Sequence, residues 1–173
     1  MNRTTTQCTG LESRTSNARS ESVPAAYDRG MARYVTTIES ALSPADAFAY
    51  MADFSNARHW DPSVVEAAPT TDGAVVNGAA FDLVVRFGGR KLPMHYEIVS
   101  YEEPRQLVIE AKKPSFVSRD TITVSPSGAG STVHYDALLA FNGVGRVLDP
   151  VFQLIFNRTG DKAAAGMRAA LNP

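Results

Sequence analysis

Asp120 is the residue best placed to do chemistry. It lies in an alternating run, 115–125, on the same side as Phe116, Ser118, Ile122 and Val124. A carboxyl group on such a face is costly unless it is paired or hydrogen-bonded. It could anchor a ligand hydroxyl, or work as a general acid or base with a raised pKa. It could equally be a structural carboxylate held by backbone or an arginine, or be turned outward by a β-bulge. Tyr96 and Tyr135 share the inward faces of two other runs. Each can donate a hydrogen bond to a ligand carbonyl, or fill the core with only its hydroxyl hydrated. These three residues are the candidate proton-handling groups, and none forms a recognisable catalytic constellation.

Other chemistries lack their residues. His59, His95 and His134 have no metal-ligand spacing, and the single cysteine, Cys8, allows neither an internal disulfide nor a multi-cysteine zinc site. No Gly-x-Ser-x-Gly elbow occurs. Gly128-Ala129-Gly130-Ser131 lacks a phosphate-loop lysine and joins two strand-like runs, so it reads as a hairpin turn. No metal or cofactor is expected. Lys+Arg is 17 against Asp+Glu 18, a formal net charge of −1. With Arg105, Lys112, Lys113 and Arg119 scattered rather than striped, a nucleic-acid face is not expected. No apolar run approaches the roughly 18 residues of a membrane span. The expected setting is a reducing one, the cytoplasm. Monomer and homodimer both remain open.

Two regions differ in composition. Of residues 1–30, nine are Ser or Thr and few are apolar. Such a stretch cannot offset its ordering entropy, so a disordered N-terminal extension is expected there, with one domain over 31–173. Within the domain the hydrophobic period switches between that of strands and that of helices. The run 33–40 reads as a strand. Ser43-Pro44-Ala45-Asp46 opens a helix, with Ser43 as N-cap and Pro44 in the first turn. Asp53-Phe54-Ser55-Asn56 breaks it, Ser55 is expected to cap a second short helix, and Asp61-Pro62 ends that one. Strand-like runs follow at 64–71, 80–87, 91–101, 106–111, 115–125 and 131–141. The gaps are too short for parallel crossovers, so the strands must meander antiparallel. Asp149 and Pro150 then start a helix to about Leu171, roughly 33 Å long.

Alternation assigns the faces. Phe81, Leu83 and Val85 share a side with Phe87. Met94, Tyr96 and Ile98 share one with Leu92, and Asp120 and Ile122 with Ser118. Tyr135 lies with Val133, Ala137, Leu139 and Phe141. Outward lie Arg86, His95, Glu97, Arg119 and His134. On the last helix Phe152, Ile155, Phe156, Thr159, Ala163, Gly166, Met167 and Ala170 form one stripe, bulky early and small later. A curled sheet against a partly small-residue helix can enclose a void or close into a solid core; the pattern is compatible with both.

The order β-α-α-β6-α describes an α+β, helix-grip architecture, a curved seven-stranded antiparallel sheet wrapped around a long C-terminal helix. Several segments carry a resemblance to a family: Ser43-Pro44-Ala45-Asp46-Ala47-Phe48-Ala49-Tyr50, Asp53-Phe54-Ser55-Asn56 with Trp60-Asp61-Pro62, Asp120-Thr121-Ile122-Thr123-Val124, Thr132-Val133-His134-Tyr135-Asp136-Ala137, and Leu148-Asp149-Pro150. On these the chain, from Met31 onward, resembles the START-like (SRPBCC) helix-grip superfamily and its bacterial polyketide cyclase/dehydrase group. The resemblance implies a cavity between sheet and helix for a small hydrophobic molecule of lipid, polyketide or isoprenoid type. The same cavity would serve a cyclase- or dehydratase-like enzyme, and a stress-related interaction protein working through the outward residues is a further alternative. The expected lining is Trp60, Phe81, Leu83, Val85, Met94, Tyr96 and Ile98, with Asp120, Ile122, Tyr135, Phe152, Phe156, Thr159 and Ala163.

Overall fold

A computed structural model describes residues 30–142 and 150–173. The expected N-terminal extension, Cys8 and the Asp149 cap lie outside the described residues. Seven antiparallel strands form one curved sheet: β1 (Met31–Ser40), β2 (Val64–Pro69), β3 (Ala80–Phe87), β4 (Arg90–Glu102), β5 (Gln106–Lys112), β6 (Phe116–Ser127) and β7 (Gly130–Phe141). Their order is β1-β7-β6-β5-β4-β3-β2. The run β2 to β7 is a meander, because every connection within it is short. Strand β1 joins the far edge beside β7, with Tyr34 opposite Ala137 and Ile38 opposite Val133. The chain crosses from there to β2 by two short helices, α1 (Pro44–Ala52) and α2 (Ala57–Trp60), separated by a 3₁₀ turn at Phe54–Asn56.

Local chemistry sets these helix ends. Ser43 Oγ accepts from the Asp46 backbone N–H at 3.2 Å and donates to Asp46 Oδ2 at 2.6 Å. This satisfies one of the otherwise orphaned N–H groups of the first turn. The second cap differs from expectation. Asp53, not Ser55, caps the 3₁₀ turn, its Oδ1 accepting from the Ser55 N–H at 3.1 Å and from the Ser55 hydroxyl at 2.6 Å. A carboxylate is the stronger acceptor and takes the cap from its neighbour. No side chain caps α2.

The long helix α3 (Pro150–Ala170) lies in the concave face of the sheet and packs against β1 and α2. Its end is fixed by Ser40, whose hydroxyl donates to the Leu171 carbonyl at 3.0 Å, and by Asn172, whose Nδ2 donates to the Glu39 carbonyl at 3.0 Å. Ile155 departs from the expected stripe and is 42% exposed, beside Leu154 at 50%. The helix faces the sheet through Phe152, Phe156 and Ala163, which leaves Ile155 on the solvent edge. Two glycines also do something other than leave space. A Cβ on Gly166 would stand 2.0 Å from the Trp60 carbonyl oxygen, and one on Gly160 2.4 Å from the Tyr34 ring. At both places α3 touches its neighbour directly.

The convex face is polar and knit together. Arg33 makes a two-pronged bond to Asp136 at 2.6 and 2.8 Å, Arg119 bonds Glu110 at 2.8 Å, and His95 Nδ1 lies 2.7 Å from Asp82. His134 Nδ1 lies 3.1 Å from the Thr37 hydroxyl. Three of the five outward residues noted above, His95, Arg119 and His134, are thus engaged with neighbours on the same sheet.

Candidate functional site: a cavity between sheet and helix

The sheet and α3 enclose a cavity of about 190 Å³. Its walls come from β3, β4, β6, β7 and α3, with Tyr34 of β1 and the segment from Phe54 to Val64. Eleven of the fourteen expected residues line it: Trp60, Leu83, Val85, Met94, Tyr96, Asp120, Tyr135, Phe152, Phe156, Thr159 and Ala163. Phe81, Ile98 and Ile122 do not. All three are essentially fully buried in the solid part of the core, with Phe54 packing edge-on against Phe81 at 6.4 Å. They occupy the correct face. The helix pair fills the concavity over their stretch of sheet, which alternation along a strand cannot reveal.

The two ends of the cavity differ. One is aromatic and apolar, with Phe152 as its hub. Its ring stands 5.4 Å from Phe87, 5.0 Å from Phe141 and 6.5 Å from Phe156, and Phe116 lies 6.1 Å from Phe141. These rings are half-buried, so here the cavity reaches the surface. The other end is polar and lies deeper. Asp120 is four residues along β6 from Phe116, roughly 13 Å at about 3.3 Å per residue.

At the deep end sit Asp61, Asp120, Tyr96, Tyr135, Ser63 and Ser118. Asp120 is 5% exposed. Burial pushes its pKa from the ordinary 3.8 up to about 7; the negative charges of Asp61 and Asp136 add to this, and a hydrogen bond from the Tyr135 hydroxyl opposes it. Asp61 is raised too, by burial, against the pull of Ser63, whose backbone N–H donates to Asp61 Oδ1 at 2.8 Å. Both phenols are raised above the ordinary tyrosine value, mainly by burial and also by the Asp120 charge, and stay protonated. Tyr96 donates to Ser118 Oγ at 3.1 Å. Rings brace these groups: Trp60 meets Tyr135 edge-on at 5.9 Å, and Phe54 lies 5.2 Å from Tyr96 and 6.0 Å from Trp60.

Asp61 is the residue that sequence reasoning missed. Its place before Pro62 marks it as a helix stop, which it is, its N–H closing α2 onto the Ala57 carbonyl at 2.8 Å. Its second role follows from the docking of α2 on α3 at Gly166, a contact remote in sequence. Ser118, Leu92, Phe87, Phe116, Leu139 and Phe141 also line the cavity, and alternation had placed them on the inner face. Among the described residues no group of three His, Cys, Asp or Glu side chains stands close enough to hold a metal.

The cavity joins an apolar tunnel to a buried carboxyl group that changes charge near neutrality. The description "Polyketide cyclase / dehydrase and lipid transport" belongs to a family whose model matches residues 31–172. The chain belongs to this family. Solved structures share the fold at low identity. A START superfamily protein from Mycobacterium smegmatis is 13% identical with a TM-score of 0.65, the match covering 82% of this chain and 96% of that one. Ginseng major latex-like protein 151 from Panax ginseng is 12% identical with a TM-score of 0.61, covering 83% and 99%. The di-domain ARO/CYC StfQ from the steffimycin biosynthetic pathway is 12% identical with a TM-score of 0.62; 84% of this chain matches 52% of that one. No curated protein is a detectable sequence relative of this chain. No helix among the described residues is long and apolar enough to cross a membrane.

Proposed function

We propose that this protein binds a small hydrophobic molecule, of lipid, polyketide or isoprenoid type, in the cavity between the sheet and α3. The observation that carries this is a mainly apolar cavity of about 190 Å³ whose polar groups gather at one end. Protein interiors ordinarily leave few voids larger than a water. An apolar cavity of about 150 Å³ holds benzene, so this one suits a ring with a short side chain or a chain of similar bulk. Anything longer extends past the Phe152 rings. The absence of a long apolar helix among the described residues fits a cytoplasmic carrier.

A melting-temperature screen against small lipophilic compounds tests the reading. At least one compound raises the melting temperature of the native chain by several degrees. The gain disappears in Ala163→Leu and in Ala137→Ile, which fill the cavity from opposite walls. A screen in which nothing binds the native chain would overturn the reading.

A second reading is favoured by Asp120. A carboxyl group titrating near neutrality beside two protonated phenols can move protons on a bound poly-carbonyl chain, as in a cyclase- or dehydratase-like enzyme. Asp120 would take a proton from a carbon between two carbonyls, while Tyr96 or Tyr135 hydrogen-bonds the developing enolate. Asp120→Asn should then lower turnover about 10²-fold. Equal turnover by Asp120→Asn, Tyr96→Phe and Tyr135→Phe removes this scheme and leaves binding untouched.

A further inference from the structure

The deep end of the cavity has a definite sign. Two carboxyl groups, Asp61 and Asp120, face it, and among the described residues lining the cavity there is no Lys, Arg or His. Other carboxylates of the chain have cations at hand: Asp136 is bound by Arg33, and Glu110 by Arg119 and Lys112. Three neutral donors at the deep end already have an acceptor. Tyr96 donates to Ser118, Tyr135 to Asp120, and the Ser63 N–H to Asp61. What remains open is acceptor capacity, since each ionised carboxyl has about four lone-pair positions. Around it stand the rings of Trp60, Tyr135, Phe54 and Tyr96, with neighbouring centroids 5.2 to 6.0 Å apart.

We infer that the molecule held here ends in a basic nitrogen: an apolar amine whose ammonium group lies between Asp61 and Asp120 against the aromatic rings, its hydrocarbon part running toward Phe152. This rests on the cavity being a ligand site, as proposed above. An ammonium supplies both the missing donors and the missing charge. It offsets the cost of keeping two carboxyl groups out of water, and ring faces attract cations. An alcohol brings one proton and no charge. A carboxylate or phosphate brings neither, and meets like charge in a poorly hydrated space. The same arrangement therefore selects against fatty acids.

Titration calorimetry at pH 7 with octylamine, 1-octanol and octanoate, which differ only in the head group, tests the inference on the full chain. Octylamine binds about tenfold or more tighter than 1-octanol, and octanoate binds weakest. Excess 1-octanol displaces octylamine, which places both in one cavity. Asp120→Asn, nearly the same shape, removes most of the tenfold preference for the amine over 1-octanol. Asp61→Asn reduces the preference and guards against a single variant that fails to fold. Equal affinity for the amine and the alcohol, tighter binding of octanoate, or an amine preference that survives both substitutions would overturn the inference while leaving the cavity a ligand site. Binding of none of the three probes would count against the cavity reading itself.

Discussion

Asp120 links the site to the stability of the whole chain. Its folded pKa of about 7 lies above the ordinary 3.8. Below about pH 4 folded and unfolded chains both hold the proton, and the group costs nothing. As pH rises the unfolded chain releases its proton first, so stability falls between about pH 4 and pH 7 and then levels off. The groups facing Asp120 are Tyr135, Tyr96 and Asp61, with Asp136 acting from the other side of the sheet. Asp120→Asn abolishes this slope. Urea unfolding should show the variant gaining on the native chain by on the order of a few kcal/mol from pH 5 to pH 8. A constant difference across that range would mean that Asp120 does not hold its proton near neutrality. Asp120 was legible as an inward carboxyl because alternation within one strand is a local property. Its partner Asp61 was not, because the two meet only when the α1–α2 segment folds beneath α3.

At the scale of elements, helix ends and close approaches carry definite energies. Ser43→Ala removes the acceptor for the Asp46 N–H and should cost about 1 kcal/mol, measured by chemical denaturation. Gly166→Ala is a severer change than its single methyl group implies. The new Cβ would meet the Trp60 carbonyl oxygen, a backbone atom that cannot rotate away. Helix α3 must shift off α2, and a loss of about 1–3 kcal/mol is expected despite the better helix propensity of alanine. A melting temperature unchanged or raised would show that α3 does not seat on α2 at this point. The strand β3 was legible to the residue, Ala80–Phe87, since Gly88-Gly89 and strict alternation bound it. The purpose of Gly166 was not: a small residue on a helix stripe reads alike whether it leaves a gap or permits contact.

For the molecule as a whole, the concave face is solid over one stretch and hollow over another. Phe81 is fully buried, whereas Phe156 is partly exposed and faces the cavity. Phe81→Ala leaves a void in packed surroundings and should cost about 3–5 kcal/mol. Phe156→Ala enlarges space already empty, loses fewer contacts, and should cost clearly less. Equal losses in denaturant unfolding would mean that the two regions pack alike. The difference is a division of labour along the grip: the stretch around Phe81, Ile98 and Ile122 supplies stability, and the stretch from Asp120 to Phe152 can stay open for a guest.

The amino-acid sequence by itself determined the order of the elements, the antiparallel meander and the inward face of nearly every strand. These follow from short-range rules, two-residue alternation, 3.6-residue stripes, caps and turns, each complete within a few positions. Only the tertiary structure decided where the concavity is filled, which glycines are contacts, and that two carboxyl groups share one pocket with no cation among the described residues. Those outcomes depend on how far a curved sheet stands from a helix that arrives at the end of the chain, and that distance is set by many side chains at once.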